Sequence, residues 1–470
     1  MNNYRIAWRN LWRNRRRTII TAASVFFAVF FALIMRSLQL GTYDYMYKSI
    51  IESYSGYIQV QDQDYRENKT VDNVFEETSR LRQVIKEDEN VSDLIPRFES
   101  FALASSGTQS KGVMVMGIDP QKELLLSGVK DRLVKYRLTG EAVKEIKSED
   151  IPDYLKKNLD LFEGNAYSGD GRLQLDLDIK DDDEDELMPL FRKYAAVNNS
   201  YFSMGDNAAL VGDRLSRYLG LEKGDTIILV GQAYHGHSAA GKYSIAGIVN
   251  MPNPELDNKL VYLPVDVCQE LYYASGKLTS MVIHLKDNDD KAIENTMLRL
   301  DKKLDDPYRI LGWKEMNSTL VQQLEADNKS GLIMIGILYL VIAFGVFGTV
   351  LMMTAERRRE FGVLVAIGMQ KTKLAAVMVY EMLYIGLLGI LSGVAVSVPV
   401  IIYGYHNPIH FSARLAKIFE DYGFEPVMAF KWIDNYFLSQ SLVVSVIVLL
   451  AVIYPVINIW KMKEVNALRA

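Results

Sequence analysis

Hydrophobic and polar residues are distributed very unevenly along this chain. Four stretches, 18–35, 331–355, 374–405 and 436–460, are long and almost free of charge. The second and the fourth each hold 25 residues without an acid or a base. A bilayer core about 30 Å thick takes roughly 20 residues of helix. The pattern therefore predicts four transmembrane helices, one N-terminal and three C-terminal. Between the first and second the periodicity changes. Residues 57–61, 113–118, 226–230, 243–249 and 280–285 alternate as strands do, whereas 76–90, 121–147, 206–219, 265–275 and 289–304 read as helices. This mixture predicts a large α+β domain with two lobes. Residues 40–56 and 314–330 keep a helical pattern, so a stalk extends the first span and another leads into the second.

Charge adds a direction. The whole chain carries 53 basic and 58 acidic residues. Residues 37–330 alone hold 35 basic and 50 acidic ones, a net of −15. Basic residues gather instead at 1–17 (Arg5, Arg9, Arg13, Arg15, Arg16, Arg17) and at 356–373 (Arg357, Arg358, Arg359, Lys371, Lys373). By the positive-inside rule both segments and the C-terminal tail are expected in the cytosol and 46–313 outside it. The expected location is the cell inner membrane, with multiple passes. Arginines before an apolar run also begin a signal peptide. Here the run is long and Arg36, Ser37 and Leu38 follow it, so an uncleaved anchor is expected. The acidic balance is a property of one exported domain and does not imply a cationic substrate, and no nucleic-acid partner is expected. Cys268 is the single cysteine, which excludes an intrachain disulfide.

Several motifs imitate chemistry. Gly236 to Tyr243 approaches the phosphate-loop pattern, with Gly241 and Lys242 in place. Tyr243 stands where a hydroxyl should meet Mg²⁺, and a strand pattern follows instead of a helix. No nucleotide site, and no ATPase of its own, is expected. His235 and His237 lack a third ligand and read as surface residues. The six acids at 181–186 lack calcium-loop spacing and read as a solvated loop. No catalytic, cofactor or metal residue is assigned.

The informative segment is 353–369, MTAERRREFGVLVAIGM. Five consecutive charges, Glu356 to Glu360, are followed by the apolar run 361–367, all between two spans. A helix lying on the cytosolic membrane surface, charged at its start and apolar on one face, accounts for both parts and suits docking of a partner. Glu381 lies about two turns into the third span. An acid there is costly unless it meets protein or water, and bonds from the N-terminal segment or another span are expected. Gly386, Gly389 and Gly393 supply small-residue spacing for close helix approach, within one subunit or between two.

This segment resembles the ERxREIGxxRAxGA signature of MacB/FtsX-type ABC transporter permeases, where it forms the helix pressed against the ATPase. Glu356, Arg357, Glu360, Phe361, Gly362, Ala366 and Gly368 fit, while Val365 replaces a common arginine. The start, WRNLWRNRRRTIIT, and the end, YPVINIWKMKEVNALRA, are similar to the family's termini. SGYIQVQ, GVMVMGIDP, VYLPVD and WKEMNSTL resemble the lipoprotein-releasing LolC/LolE branch, whereas 121–205 match nothing in it.

The resemblance implies a type VII ABC transporter permease architecture. Its parts would be an amphipathic segment 1–17, span and stalk 18–45, outer domain 46–313, stalk and span 314–355, and coupling helix 356–373. A span 374–405, loop 406–435, span 436–460 and tail 461–470 would follow. It implies ATPase coupling by Glu356, Arg357, Arg358, Arg359, Glu360, Phe361, Gly362, Ala366 and Gly368, with Phe361 filling a notch on the partner. It also implies two cytosolic ATPase subunits holding ATP and Mg²⁺, a second permease copy or paralogue, and membrane lipid around the spans. Mechanotransmission would drive lipoprotein release, with a lipoprotein or periplasmic carrier as partner. Peptide or drug export and signalling to a cell-wall hydrolase are the alternatives.

Overall fold

The computed structural model describes residues 3–13, 15–411, 415 and 426–461. The tail 462–470 and residues 412–414 and 416–425 of the 406–435 loop lie outside the described residues. The chain divides into two compact units, residues 1–45, 322–409 and 427–470 in one, 46–321 and 410–426 in the other.

The first unit is helical. Helices Arg15–Ile50, Ser318–Glu356, Lys371–His406 and Asn435–Lys461 each contain a window long and apolar enough to cross a membrane. Only 17–33% of each window is buried in the protein, so most of the apolar surface faces outward, as lipid requires. Ile333, Ile337, Val341 and Phe344 of the second span show this plainly, each at least 60% exposed. Inside, Gly389 and Gly393 let the third span close on the first. A Cβ on Gly389 would lie 2.6 Å from the Val25 Cβ, and one on Gly393 2.8 Å from the Val29 Cβ. Gly386 meets Val448 of the fourth span in the same way. All three glycines thus pack within one chain. A short N-terminal helix, Asn3–Arg13, buries Ala7 and Leu11 and sets Trp8 edge-on to Tyr384 of the third span.

At the other end of this unit the first two spans are joined by polar side chains. Arg36 donates to Asn328 at 2.8 Å, and the Tyr43 hydroxyl donates to Asp327. The backbone of residues 429–431 crosses the first span where Gly41 leaves no side chain in the way. Ser37 and Lys431 exchange bonds there, Oγ to carbonyl at 2.9 Å and amide to carbonyl at 3.0 Å.

The second unit is built on a nine-stranded mixed sheet. Its strands are β1 (Ile58–Asp62), β2 (Val91–Ser105), β3 (Ser110–Ile118), β4 (Ala208–Gly212), β5 (Thr226–Gln232), β6 (Ser238–Val249), β7 (Leu260–Pro264), β8 (Ser280–Leu285) and β9 (Tyr308–Gly312). The order is β9-β1-β8-β2-β3-β7-β4-β6-β5. The second half of β2 also pairs with β5, Leu103 opposite Val230, which closes six strands into a ring and leaves them no edge. The remaining three extend the first half of β2 as an open sheet. Ile58, Leu94, Phe98, Val115, Leu229 and Ile283 fill the main core. The helix Val265–Leu271 covers it through Cys268, whose Cβ occupies the space left by Gly117.

A second core, around Leu138, Ile146, Leu155, Leu173 and Phe191, belongs to four helices: Gly140–Ser148, Asp153–Leu161, Asp170–Leu177 and Glu184–Tyr194. Residues 121–147 are not the single helix that their pattern predicts. Gly128, at φ 56°, turns the chain between two short 3-10 turns, and Glu123 points inward to Arg97. The acidic run is not a loop either. Glu184, Asp185 and Glu186 form the first turn of a helix, where its dipole favours negative charge.

Where the first span's chain enters this unit, it ends in a π-helical turn, Ile51–Ser55. Arg97, fully buried, donates to the Tyr54 carbonyl and forms an ion pair with Glu123, Nη2 to Oε1 2.5 Å. Asn317, just before the second span's helix, donates to Ser55 Oγ at 3.0 Å. The two chain entries are therefore tied together inside the unit.

Candidate functional site

The charged run and the apolar run after it form a distinct element. The second span ends at Glu356, and a new helix runs Arg358–Ala366. Gly368, at φ 104°, stops it: its amide donates to the Val365 carbonyl and the Met369 amide to Leu364. That 5→2 and 6→1 pair is the glycine-ended helix cap, which satisfies carbonyls otherwise left open. Gln370 then precedes the third span's helix, its carbonyl accepting from the Lys373 and Leu374 amides. Gly368 therefore has a structural task, the reversal between two helices.

Five consecutive charges cannot all face the same way, and the structure separates them. Arg357 is turned inward, its side chain 4% exposed. Its Nη1 donates to both carboxylate oxygens of Glu381, at 2.7 and 2.6 Å. Glu381 is itself 3% exposed, so the pair is out of water. The partner of Glu381 is thus neither the N-terminal segment nor another span, as expected, but the first residue after the second span. Glu360 bridges outward from this pair, 3.3 Å from Arg357 Nε and 3.2 Å from Arg13 of the N-terminal helix. Glu356, Arg358 and Arg359 are exposed.

Phe361 also departs from expectation. It is 2% exposed and packs in the core of the helical unit, with the Arg357 guanidinium 5.2 Å from its ring centre. In this conformation it cannot fill a notch on a partner. Gly362 is buried beside it. The exposed apolar residues are Val363, Leu364 and Ile367, the last 79% exposed, together with Ala366 and Gly368. Sequence reasoning recognised the helix but chose the wrong face. The i, i+3, i+4 spacing of Arg357, Glu360 and Phe361 puts these three on one side, but only packing makes that side the inward one.

The decoy motifs take ordinary places. Gly241, Lys242 and Tyr243 lie within β6, in a strand and not at a helix start. His235 and His237 are exposed at a turn, where the His235 amide donates to Asp72. Among the described residues, no three His, Cys, Asp or Glu side chains converge to hold a metal ion.

The described residues thus hold four helices long and apolar enough to cross a membrane, a folded domain inserted after the first, and a short amphipathic helix latched to the third. Residues 332–463 match the FtsX-like permease C-terminal family, so this stretch is an FtsX-like permease domain. It is 26% identical over 160 residues to an uncharacterized ABC transporter permease of Methanocaldococcus jannaschii, covering 33% of this chain and 40% of that one. It is 23% identical over 219 residues to the lipoprotein-releasing system transmembrane protein LolC of Xylella fastidiosa, covering 45% and 52%. The chain thus spans about half or less of the length of these relatives. The periplasmic region of MacB from Actinobacillus actinomycetemcomitans aligns over 58% of this chain and 95% of its own, at 10% identity. The TM-score of that alignment is 0.30.

Proposed function

We propose that this chain is the membrane subunit of an ABC transporter whose ATPase is a separate cytosolic protein. Two ATPases, holding ATP and Mg²⁺, would serve two permease subunits, identical or paralogous. The observation that carries this reading is the buried Arg357–Glu381 pair, which fastens the Arg358–Ala366 helix to the third span while Leu364 and Ile367 stay exposed. A displacement of that helix would be passed to the span without loss in a flexible loop. The boundaries between the two units fall inside two helices, Arg15–Ile50 and Ser318–Glu356. The basic residues at 1–17 and 356–373 support a cytosolic N-terminus and coupling helix, with residues 46–313 outside.

The work done there is release of lipoproteins from the inner membrane, a reading supported by the resemblance to LolC. Depletion of the chain should leave lipoproteins in the inner-membrane fraction. An unchanged lipoprotein distribution would exclude that cargo. The coupling step is tested separately, by co-purifying the co-expressed ATPase with wild type and with Ile367→Asp. Equal recovery would sink the assignment of this face.

A further inference from the structure

A polar cleft of about 210 Å³ opens in the second unit between the helical lobe and the sheet. Four arginines line it: Arg132, Arg172, Arg214 and Arg217. They are a third of the twelve arginines in residues 37–330, a stretch whose net charge is −15. They come from three elements distant in sequence, so folding and not local composition gathers them. We propose that this cleft binds a phosphate-bearing anion, with the guanidinium groups and the Tyr167 hydroxyl donating to the phosphate oxygens.

The carboxylates of the cleft do not cancel this charge at its mouth. Asp213 and Asp257 are 2% exposed and Asp176 6%, so they form the floor. Each already has donors. Arg137 and Arg217 hold Asp213, and Arg172 holds Asp176 at 3.1 Å. Asp257 accepts from the amides of Asp213, Arg214 and Met251 at 3.1, 2.7 and 2.9 Å. Burial and the neighbouring Asp213 push the Asp257 carboxyl up to about 7 against those three bonds, so it is partly neutral near neutral pH. The arginine side chains stay nearer the surface, Arg217 40% and Arg172 31% exposed. A guanidinium has five N–H donors, and one or two internal bonds position it without using them all.

Tyr167 supplies an independent observation. It lines the cleft, is 2% exposed, and its hydroxyl makes no well-formed hydrogen bond, with the Asn165 and Asp176 side chains as its polar neighbours. Burial and the Asp176 charge hold its phenol well above the ordinary value, so it remains a donor. A buried donor without a well-formed bond is costly, and a ligand oxygen would remove that cost. The planar fork of arginine matches phosphate oxygens two at a time. Sites for drug-sized molecules run to roughly 300–1,000 Å³. At about 210 Å³ this cleft suits a phosphate-bearing group and not a peptide.

The test uses the full chain in phosphatidylcholine nanodiscs, with labelled pyrophosphate as the probe in equilibrium dialysis. Saturable binding is expected. Arg214→Gln should weaken it about tenfold, the loss of one charge-assisted bond. Tyr167→Phe, which keeps the packing, should weaken it several-fold, while Arg80→Gln, an exposed residue outside the cleft, should not. Repeating the measurement in nanodiscs containing phosphatidylglycerol separates two sources of the same chemistry. Competition identifies a lipid headgroup, and unchanged binding a soluble phosphate compound. Absence of saturable binding in neutral discs, or binding that both Arg214→Gln and Tyr167→Phe leave intact, overturns the proposal.

Discussion

Replacing Glu381 by Gln tests the latch between the short helix and the third span. The substitution keeps shape and one acceptor but leaves the Arg357 charge, 4% exposed, with only the half-exposed Glu360 as counter-charge, 3.3 Å from its Nε. Removing one partner of a buried pair costs about 3–5 kcal/mol, mostly the penalty of the stranded ion. Two short contacts, 2.7 and 2.6 Å, place this pair within that class. Surface pairs such as Arg13–Glu360, with side chains 61% and 50% exposed, belong to a class worth about 0–1 kcal/mol. Denaturation of the full chain by SDS titration in mixed micelles should therefore show a loss of about 3 kcal/mol for Glu381→Gln and under about 1 kcal/mol for Arg13→Gln. A second variant separates stability from coupling. Arg357→Met with Glu381→Leu replaces the pair by apolar groups, a change that is often neutral or stabilising by about 1–4 kcal/mol. That double variant should unfold like wild type yet fail to transmit ATP-driven work. A loss below about 0.5 kcal/mol in Glu381→Gln would refute the energetic argument. Full activity in the apolar double variant would refute the mechanical one.

Phe361→Ala should cost about 3–5 kcal/mol in the same titration, because it empties a core position, whereas Ile367→Asp should leave stability within about 0.5 kcal/mol and reduce ATPase co-purification. Gly389→Leu should destabilise by about 1–3 kcal/mol or more, while Gly336→Leu, with open space around it, should be nearly silent. Asp257 has a folded-state pKa raised to about 7, so its stabilising contribution is full below its ordinary value near 3.8 and lost as pH rises through 7. The stability difference between wild type and Asp257→Asn should accordingly drift against wild type by several kcal/mol between pH 4 and 8, on the order of 1.4 kcal/mol per pH unit at most; a flat difference would contradict that shift. Lys242→Ala, in a strand, should leave ATP hydrolysis of the assembled complex within about twofold, as the rate per bound ATPase shows.

The spans were legible because lipid imposes a simple rule, long runs without charge. The coupling segment was legible as a helix between spans, and Glu381 as an acid needing a partner. Which face of that helix is inward was not, because Phe361 and Ile367 are equally apolar and only tertiary packing distinguishes them. The longest strand, Val91–Ser105, was missed for a related reason. It carries Asp93, Arg97 and Glu99, which read as solvent positions, yet Arg97 and Glu99 are buried and paired with Glu123 and Tyr54. Strands β4, β7 and β9 are five residues each and run directly into a helix, at Asp213, Val265 and Trp313, so no break in the sequence sets them apart. The arginine cleft was invisible in sequence, since its arginines lie up to 85 positions apart, from Arg132 to Arg217, and no spacing links them.

The single thiol has a consequence for where this protein can mature. Cys268 is wholly buried beneath the sheet, beside Gly117, and burial raises its pKa far above that of a free thiol. Little reactive thiolate exists at neutral pH, and no second cysteine can pair with it. The inserted domain therefore gains nothing from oxidative folding enzymes and loses nothing when they are absent. Its stability is set by packing in oxidising and reducing compartments alike, and the native thiol stays silent toward reagents that read engineered surface cysteines.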